Sequence, residues 1–192
     1  MKKFIYFTNF KTDRMKKLIF TLFLTLIPIG YLAAQKGNLE VGQKAPEWML
    51  TDASRKKFTM DEWTGRVLQV NYVDPDEQDL NEPYNEAVDK AVKTDKRIDS
   101  LKFKGIGVVD CKSTRKPNFL IRIIAGNKAK KFKTTILFDY DGKLQQSWGM
   151  PKDSYSVVIL DKNRICRALY KGKIPEADNE KIIQQIIELT KE

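Results

Sequence analysis

The sequence predicts an α/β domain: a central, mostly parallel sheet, helices on both faces and an antiparallel hairpin near the C-terminal end. Three observations predict it. Two apolar runs, "VLQVNYV" (67–73) and "GIGVVDC" (105–111), have strand length and the near-continuous apolarity of strands buried on both faces. Each is followed by a segment with helical periodicity. "SVVILD", "KN" and "RICRALYKG" (156–172) then read as strand, tight turn and return strand. Strands that alternate with helices favour a parallel sheet covered on both sides.

The elements follow in order. Residues 35–45 are polar and read as a loose lead-in. "APEWMLTDASRKKFTMDEWTG" (45–65) reads as a strand, a turn at Asp52–Ser54, a second strand through Phe58 and a helical turn around Asp61–Trp63 that Gly65 ends. After 67–73, Leu80, Tyr84, Ala87, Val88 and Ala91 share one helix face. Asp79 or Asn81 is positioned to cap that helix, and Pro83 fits its first turn. In "STRKPNFLIRIIAGNKAKKF" (113–132), Pro117 marks a helix start. Phe119, Leu120, Ile123 and Ile124 are expected on its inner face, and Gly126 is expected to end or weaken it. "KTTILFDYDGKLQQSWGM" (133–150) reads as strand, turn at Asp141–Gly142 and short helix. A terminal helix carries Ile182, Ile183, Ile186, Ile187 and Leu189 as its apolar stripe, with Asp178 as its cap.

The N-terminus reads differently. From Met15, Lys16 and Lys17 precede an apolar stretch that ends in Ala33 and Ala34, the layout of a secretory signal peptide cleaved after Ala34. A transmembrane span is the alternative, but Leu18–Ala34 carries Pro28 and Gly30 and lies at the short limit of the roughly 20 residues a span needs. Residues 1–14 read as an extension upstream of a second start. The expected organisation is therefore 1–34 as a removed segment and 35–192 as one domain. Removal leaves 29 basic and 24 acidic residues, a mild balance of +5 scattered over the chain. That pattern argues against a nucleic-acid stripe. The absence of histidine excludes Ser-His and Cys-His pairs, imidazole metal sites and histidine proton shuttles. No cofactor or metal site is implied. The two cysteines, Cys111 and Cys166, form no C-x-x-C.

Gly42, Ala45, Pro46, Thr51, Asp52 and Gly65, in that order, resemble the opening of redoxin-type thioredoxin-like proteins. "LFDYDGKLQQSWGM…SVVILDKN" is similar to their D-x-x-G…W/Y-G…LID-x-x-G segment. "LNEP" (80–83), Trp148 and "VILDK" (158–162) look most like the YtfJ-type periplasmic family. The resemblance implies a thioredoxin-like fold and an exported protein. Two departures accompany it. A thiol oxidoreductase sets its attacking Cys at the start of the first helix, where the macrodipole and free N–H groups stabilise thiolate. Here that position falls in "DPDEQD" (74–79), which has no nucleophile. The cis-proline of redoxins matches Ser154 or Tyr155, where a trans bond is expected.

Each candidate site has a plainer reading beside it. Cys111 is either a buried small hydrophobe or a displaced redox thiol, with Lys112 and Arg115 near enough to favour thiolate if it were exposed. The expected strand order sets Cys111 and Cys166 three strands apart, about 14 Å, beyond the roughly 7 Å a disulfide allows. Asp74, Asp76, Glu77 and Asp79 form an acidic turn that caps a helix, binds a hard cation or faces a ligand. The tryptophans pack the core, or Trp148 stacks a ligand beside Tyr155. The function expected is an exported binding or accessory module without the redox dithiol. Its unidentified partner would meet the 74–83 loop, the 149–155 loop and the start of the 117 helix. An oxidoreductase or peroxide-handling protein using Cys111 is the first alternative, and a cation-binding protein at the 74–79 turn the second.

Overall fold

The computed structural model describes residues 37–192. The signal-peptide segment therefore lies outside the described residues. One seven-stranded sheet organises them, in the order β2-β1-β5-β4-β3-β6-β7. Its strands are β1 (Met49–Thr51), β2 (Lys57–Thr59), β3 (Val67–Val73), β4 (Phe103–Asp110), β5 (Thr135–Asp139), β6 (Tyr155–Leu160) and β7 (Cys166–Lys171). The centre, β5-β4-β3, is parallel, while β6-β7 and β1-β2 join its two sides antiparallel. Helices α1 (Glu82–Lys93), α2 (Asn118–Phe132), α3 (Lys143–Trp148) and α4 (Asn179–Lys191) cover the sheet.

The alternation within β3 divides the interior in two. Leu68, Val70 and Tyr72 face one core, with Met60, Leu144, Trp148 and the N-terminal Leu39 and Ala45. Val67 and Val73 face the other, built from Tyr84, Val88 and Ala91 of α1 and the isoleucines of α4. A period of two along a strand sends neighbours to opposite faces, so one strand serves both cores. Gln69 and Asn71 are on the α1 side as well, and there they are hydrogen-bonded. Tyr84 donates to Gln69, Gln69 to Asn71, Asn71 to Asn85, and Asn85 to the Tyr155 hydroxyl, all at 2.9–3.0 Å. This chain of donors satisfies polar groups whose burial would otherwise be costly.

Four expectations change. The segment at 37–45 is not loose. Leu39 donates its N–H to Trp148, Gly42 to Cys166 and Ala45 to Arg164, and Leu39 and Ala45 are buried. Asn81 stands at the start of α1 but does not cap it with its side chain. Its amide instead donates to Gly172 and accepts from the Ile174 N–H, tying the helix start to the loop after β7. Asp178 likewise makes no capping bond to α4.

The fourth change concerns α2. Ile121 and Ala125 face inward, whereas Phe119, Leu120, Ile123 and Ile124 face solvent at 60, 39, 54 and 52 % exposure. The stretch "FLIRIIA" is apolar on nearly every side, so periodicity alone could not fix its phase. Close packing fixes it. A Cβ added at Gly126 would stand 2.9 Å from the Ala53 Cβ, so glycine allows the helix to approach the β1–β2 turn. Gly126 does not end the helix, which runs on to Phe132.

Arg164 joins the hairpin to the chain before β3. It is buried and adopts a positive φ of 66°. Its guanidinium donates to the carbonyls of Met60, Trp63 and Arg66 at 2.6–2.8 Å. Replacing it with methionine would leave those carbonyls without their donor. Arg164→Met is expected to lower unfolding free energy by about 3 kcal/mol, measured by urea denaturation. A loss below about 1 kcal/mol would show that water replaces the guanidinium at little cost.

Candidate functional site at the carboxyl edge of the sheet

The three parallel strands run in the same direction and end together. Each ends in, or is directly followed by, a buried aspartate: Asp74 after β3, Asp110 in β4 and Asp139 in β5. Asp110 and Asp139 are register partners, and Val109 pairs with Val73, the residue before Asp74. The crevice beyond the carboxyl ends of parallel strands is where open α/β sheets bind ligands. This edge is thus the natural candidate site.

Two of the carboxylates are fully engaged. Asp139 accepts from the N–H groups of Lys143 and Gln145 at the start of α3, at 2.9 and 3.1 Å, and from the Tyr72 hydroxyl at 3.2 Å. Burial nevertheless pushes its carboxyl above the ordinary range, with these donors acting against the shift. Asp110 accepts from the Lys112 and Ser113 N–H groups, the Ser113 hydroxyl at 2.6 Å and the Gln145 amide at 3.0 Å. Sequence reasoning did not single out either residue. An acid closing an apolar strand was the available signal, in "VVDC" and "LFDYDG".

Asp74 differs. Its Oδ1 accepts from the Asp76 N–H at 2.8 Å, and its own N–H donates to Ser154 at 3.0 Å. Its Oδ2 is buried and has no hydrogen-bond partner among the described residues. Burial, then the charges of Asp76, Asp110 and Asp153, push its carboxyl upward. The Asp76 N–H acts against this shift, and no cation does.

The remaining acids of the turn point elsewhere. Asp76 is exposed, pairs with Lys116 and accepts from the Thr114 hydroxyl, and the Lys116 pairing holds it below the usual carboxylate range. Glu77 is half-buried and Asp79 exposed. The four acids thus diverge, and no group of three acidic or cysteine side chains among the described residues is arranged to hold a metal ion.

The two aromatic candidates are buried. Trp148 has no exposed surface and donates its indole N–H to the Pro46 carbonyl at 2.9 Å. Tyr155 is buried against α1, its hydroxyl accepting from Asn85. Neither presents a ring face on which a ligand could stack. The expected trans bond at Tyr155 holds, as no cis peptide occurs among the described residues.

Both cysteines are free and buried, and the strand order β4-β3-β6-β7 separates them as expected. Cys111 follows β4 and packs with Ile121, Ala125 and Phe138. Burial, reinforced by the charges of Asp110 and Asp139, pushes its thiol up to about 12. At neutral pH roughly one molecule in 100,000 then carries a thiolate there. Lys112 does not offset this shift. Cys166 is fully buried and its thiol is also pushed upward by burial.

No family model and no curated protein matches the chain. Solved structures do. A protein described as the thiol:disulfide interchange protein DsbE, from Chlorobium tepidum, is 20 % identical with a TM-score of 0.54, over 80 % of this chain and 99 % of that one. The thioredoxin domain of a thiol-disulfide oxidoreductase from Bacteroides vulgatus is 12 % identical with a TM-score of 0.56, over 78 % and 99 %. A peroxiredoxin-like protein from Aquifex aeolicus is 14 % identical with a TM-score of 0.54, over 79 % and 88 %.

The unpartnered Asp74 oxygen makes a pH prediction. A carboxyl raised in the folded state contributes stability that is full below the ordinary value of 3.8 and lost as pH rises through the folded value. Asp74→Asn keeps the Oδ1 acceptor and removes the ionisation. The variant is expected to be more stable than the parent by about 1 kcal/mol at pH 7. The gap should close as pH falls towards 4, read from thermal melts across pH. A variant less stable at pH 7 would show that the charged form is the favoured one. Sheet order, the helices on both faces and the matched structures together show that the described residues have a thioredoxin-like α/β fold.

Proposed function

We propose that the protein is an exported thioredoxin-fold binding module that carries out no thiol-disulfide chemistry. One observation carries this reading: the segment between β3 and α1, where such a fold uses a nucleophile, runs Asp74–Asn81 without a Cys, Ser or Thr, while both thiols are buried. A thiol raised to about 12 neither attacks a disulfide nor reduces a peroxide at a useful rate at pH 7. What remains exposed at this edge is polar and charged: Asp76, Gln78 and Asp79 of the turn, Lys116 paired to Asp76, and Arg115 before α2. Such a surface suits recognition of a partner rather than turnover. The export half of the proposal rests on the basic, then apolar, then small-residue order of residues 15–34. The narrower likeness to YtfJ-type periplasmic proteins rests on "LNEP", Trp148 and "VILDK". No helix among the described residues is long and apolar enough to cross a membrane.

The test is insulin reduction and peroxide consumption, with dithiothreitol as electron donor, for the parent and for Cys111→Ser. Both proteins are expected at the uncatalysed rate. Parent activity well above that rate and lost in Cys111→Ser would establish the oxidoreductase alternative.

A further inference from the structure

We propose that the outward face of α2 docks on an anionic lipid surface. Phe119, Leu120, Ile123 and Ile124 are each at least 39 % exposed. At about 100° per residue they fall within a stripe roughly 140° wide. The helix is held to the sheet by its other side, through Ile121 and Ala125. A stripe of large apolar side chains left in water is costly unless something covers it.

Charge points to the occupant. Residues 112–134 contain eight Lys and Arg and no acid. Lys116 is paired with Asp76. Arg115, Arg122, Lys128, Lys130, Lys131 and Lys133 form no salt bridge among the described residues. By the same angular count Lys130 and Lys131 lie on the apolar face itself, about two turns beyond Ile123 and Ile124, while Arg122 and Lys128 flank it. Gly126 brings the helix against the β1–β2 turn, which adds the exposed Arg55 and Lys56.

The outward face is apolar over its first half, Phe119–Ile124, and basic over its second, Lys128–Lys131, so a surface that takes both large apolar side chains and cations suits it, as the interface of an anionic bilayer does. A second copy fits badly, because a two-fold contact would bring two acid-free basic helices together. A soluble protein partner fits less well too, since protein interfaces are depleted in lysine and six of these eight cations are lysines. The inference rests on α2 alone and holds whether or not the thiols are idle.

The test uses the full chain with Asn127→Cys carrying an environment-sensitive fluorophore. Asn127 is exposed and lies mid-stripe, and both native thiols are buried. Phosphatidylcholine vesicles with and without about one-third phosphatidylglycerol are compared. Residues 1–36 carry seven Lys and Arg of their own, so the variants in α2 that keep this segment, rather than neutral vesicles, control for its contribution. The label is expected to shift blue and brighten on anionic vesicles, with apparent affinity at least about tenfold higher than on neutral ones. Each lysine among 128, 130, 131 and 133 changed to glutamine should weaken it roughly fivefold. Ile123→Glu with Ile124→Glu should abolish the shift with circular dichroism unchanged. No shift on anionic vesicles, or equal shifts on both kinds, overturns the proposal. So does a dimer in sedimentation that the double variant breaks, or a shift with poly-glutamate and none with vesicles.

Discussion

Burial of three carboxylates at one edge of the sheet is the constraint around which this fold is arranged. Parallel strands β3, β4 and β5 end together, and Asp74, Asp110 and Asp139 sit beneath cover there. A buried charge must find donors or give up its ionisation. Asp139 finds them in the first amides of α3, which places that helix over the sheet and with it Trp148. Asp110 finds them in the 112–113 turn and in Gln145, which joins the same helix to the start of the loop leading to α2. The local folding of two connections is thereby tied to two side chains.

The same charges set the chemistry. They stand beside Cys111 and add to the burial that keeps its thiol protonated. A thiol-active site of this fold needs the opposite surroundings: a helix N-terminus, a cation and some exposure. Here an acidic turn, 74–79, precedes the helix, whose start is Asn81–Glu82, and the cation Lys116 is paired with Asp76. The likeness to thiol-disulfide and peroxiredoxin-like structures is thus one of architecture, at identities of 12–20 %. What the described residues expose at this edge and on α2 is charge and apolar surface, while both thiols are buried.

Much of the fold was legible in the sequence, for physical reasons. β3 is buried on nearly its whole length, and β4 is buried on one face and half-buried on the other, its second face being glycine and valine rather than fully covered as its apolar run led one to expect. The hairpin of β6 and β7 is joined by a short turn around Lys162–Asn163, and turn residues read clearly. The faces of α1 and α4 followed from spacing because each helix has one wet side. The phase of α2 did not follow, since its stretch is apolar on almost every side and the contact that fixes it, Gly126 on Ala53, spans distant parts of the chain. The 37–45 segment looked loose because its ties are backbone bonds to Trp148, Arg164 and Cys166, which no local pattern encodes. At the site, the missing nucleophile was legible from residue type alone. The inward turn of Asp74, the burial of Trp148 and Tyr155, and the roles of Asp110 and Asp139 were not, because burial is a property of the assembled sheet.

The central claim, that the thiols of this thioredoxin-like domain are idle in the native state, is tested most directly by alkylation. The native protein is exposed to iodoacetamide at pH 8, and the modification of Cys111 and Cys166 is followed by mass spectrometry against a urea-unfolded control. The account predicts that neither cysteine reacts until the protein unfolds, and that both then react. Modification of Cys111 in the native protein at the rate of an exposed thiol would contradict it.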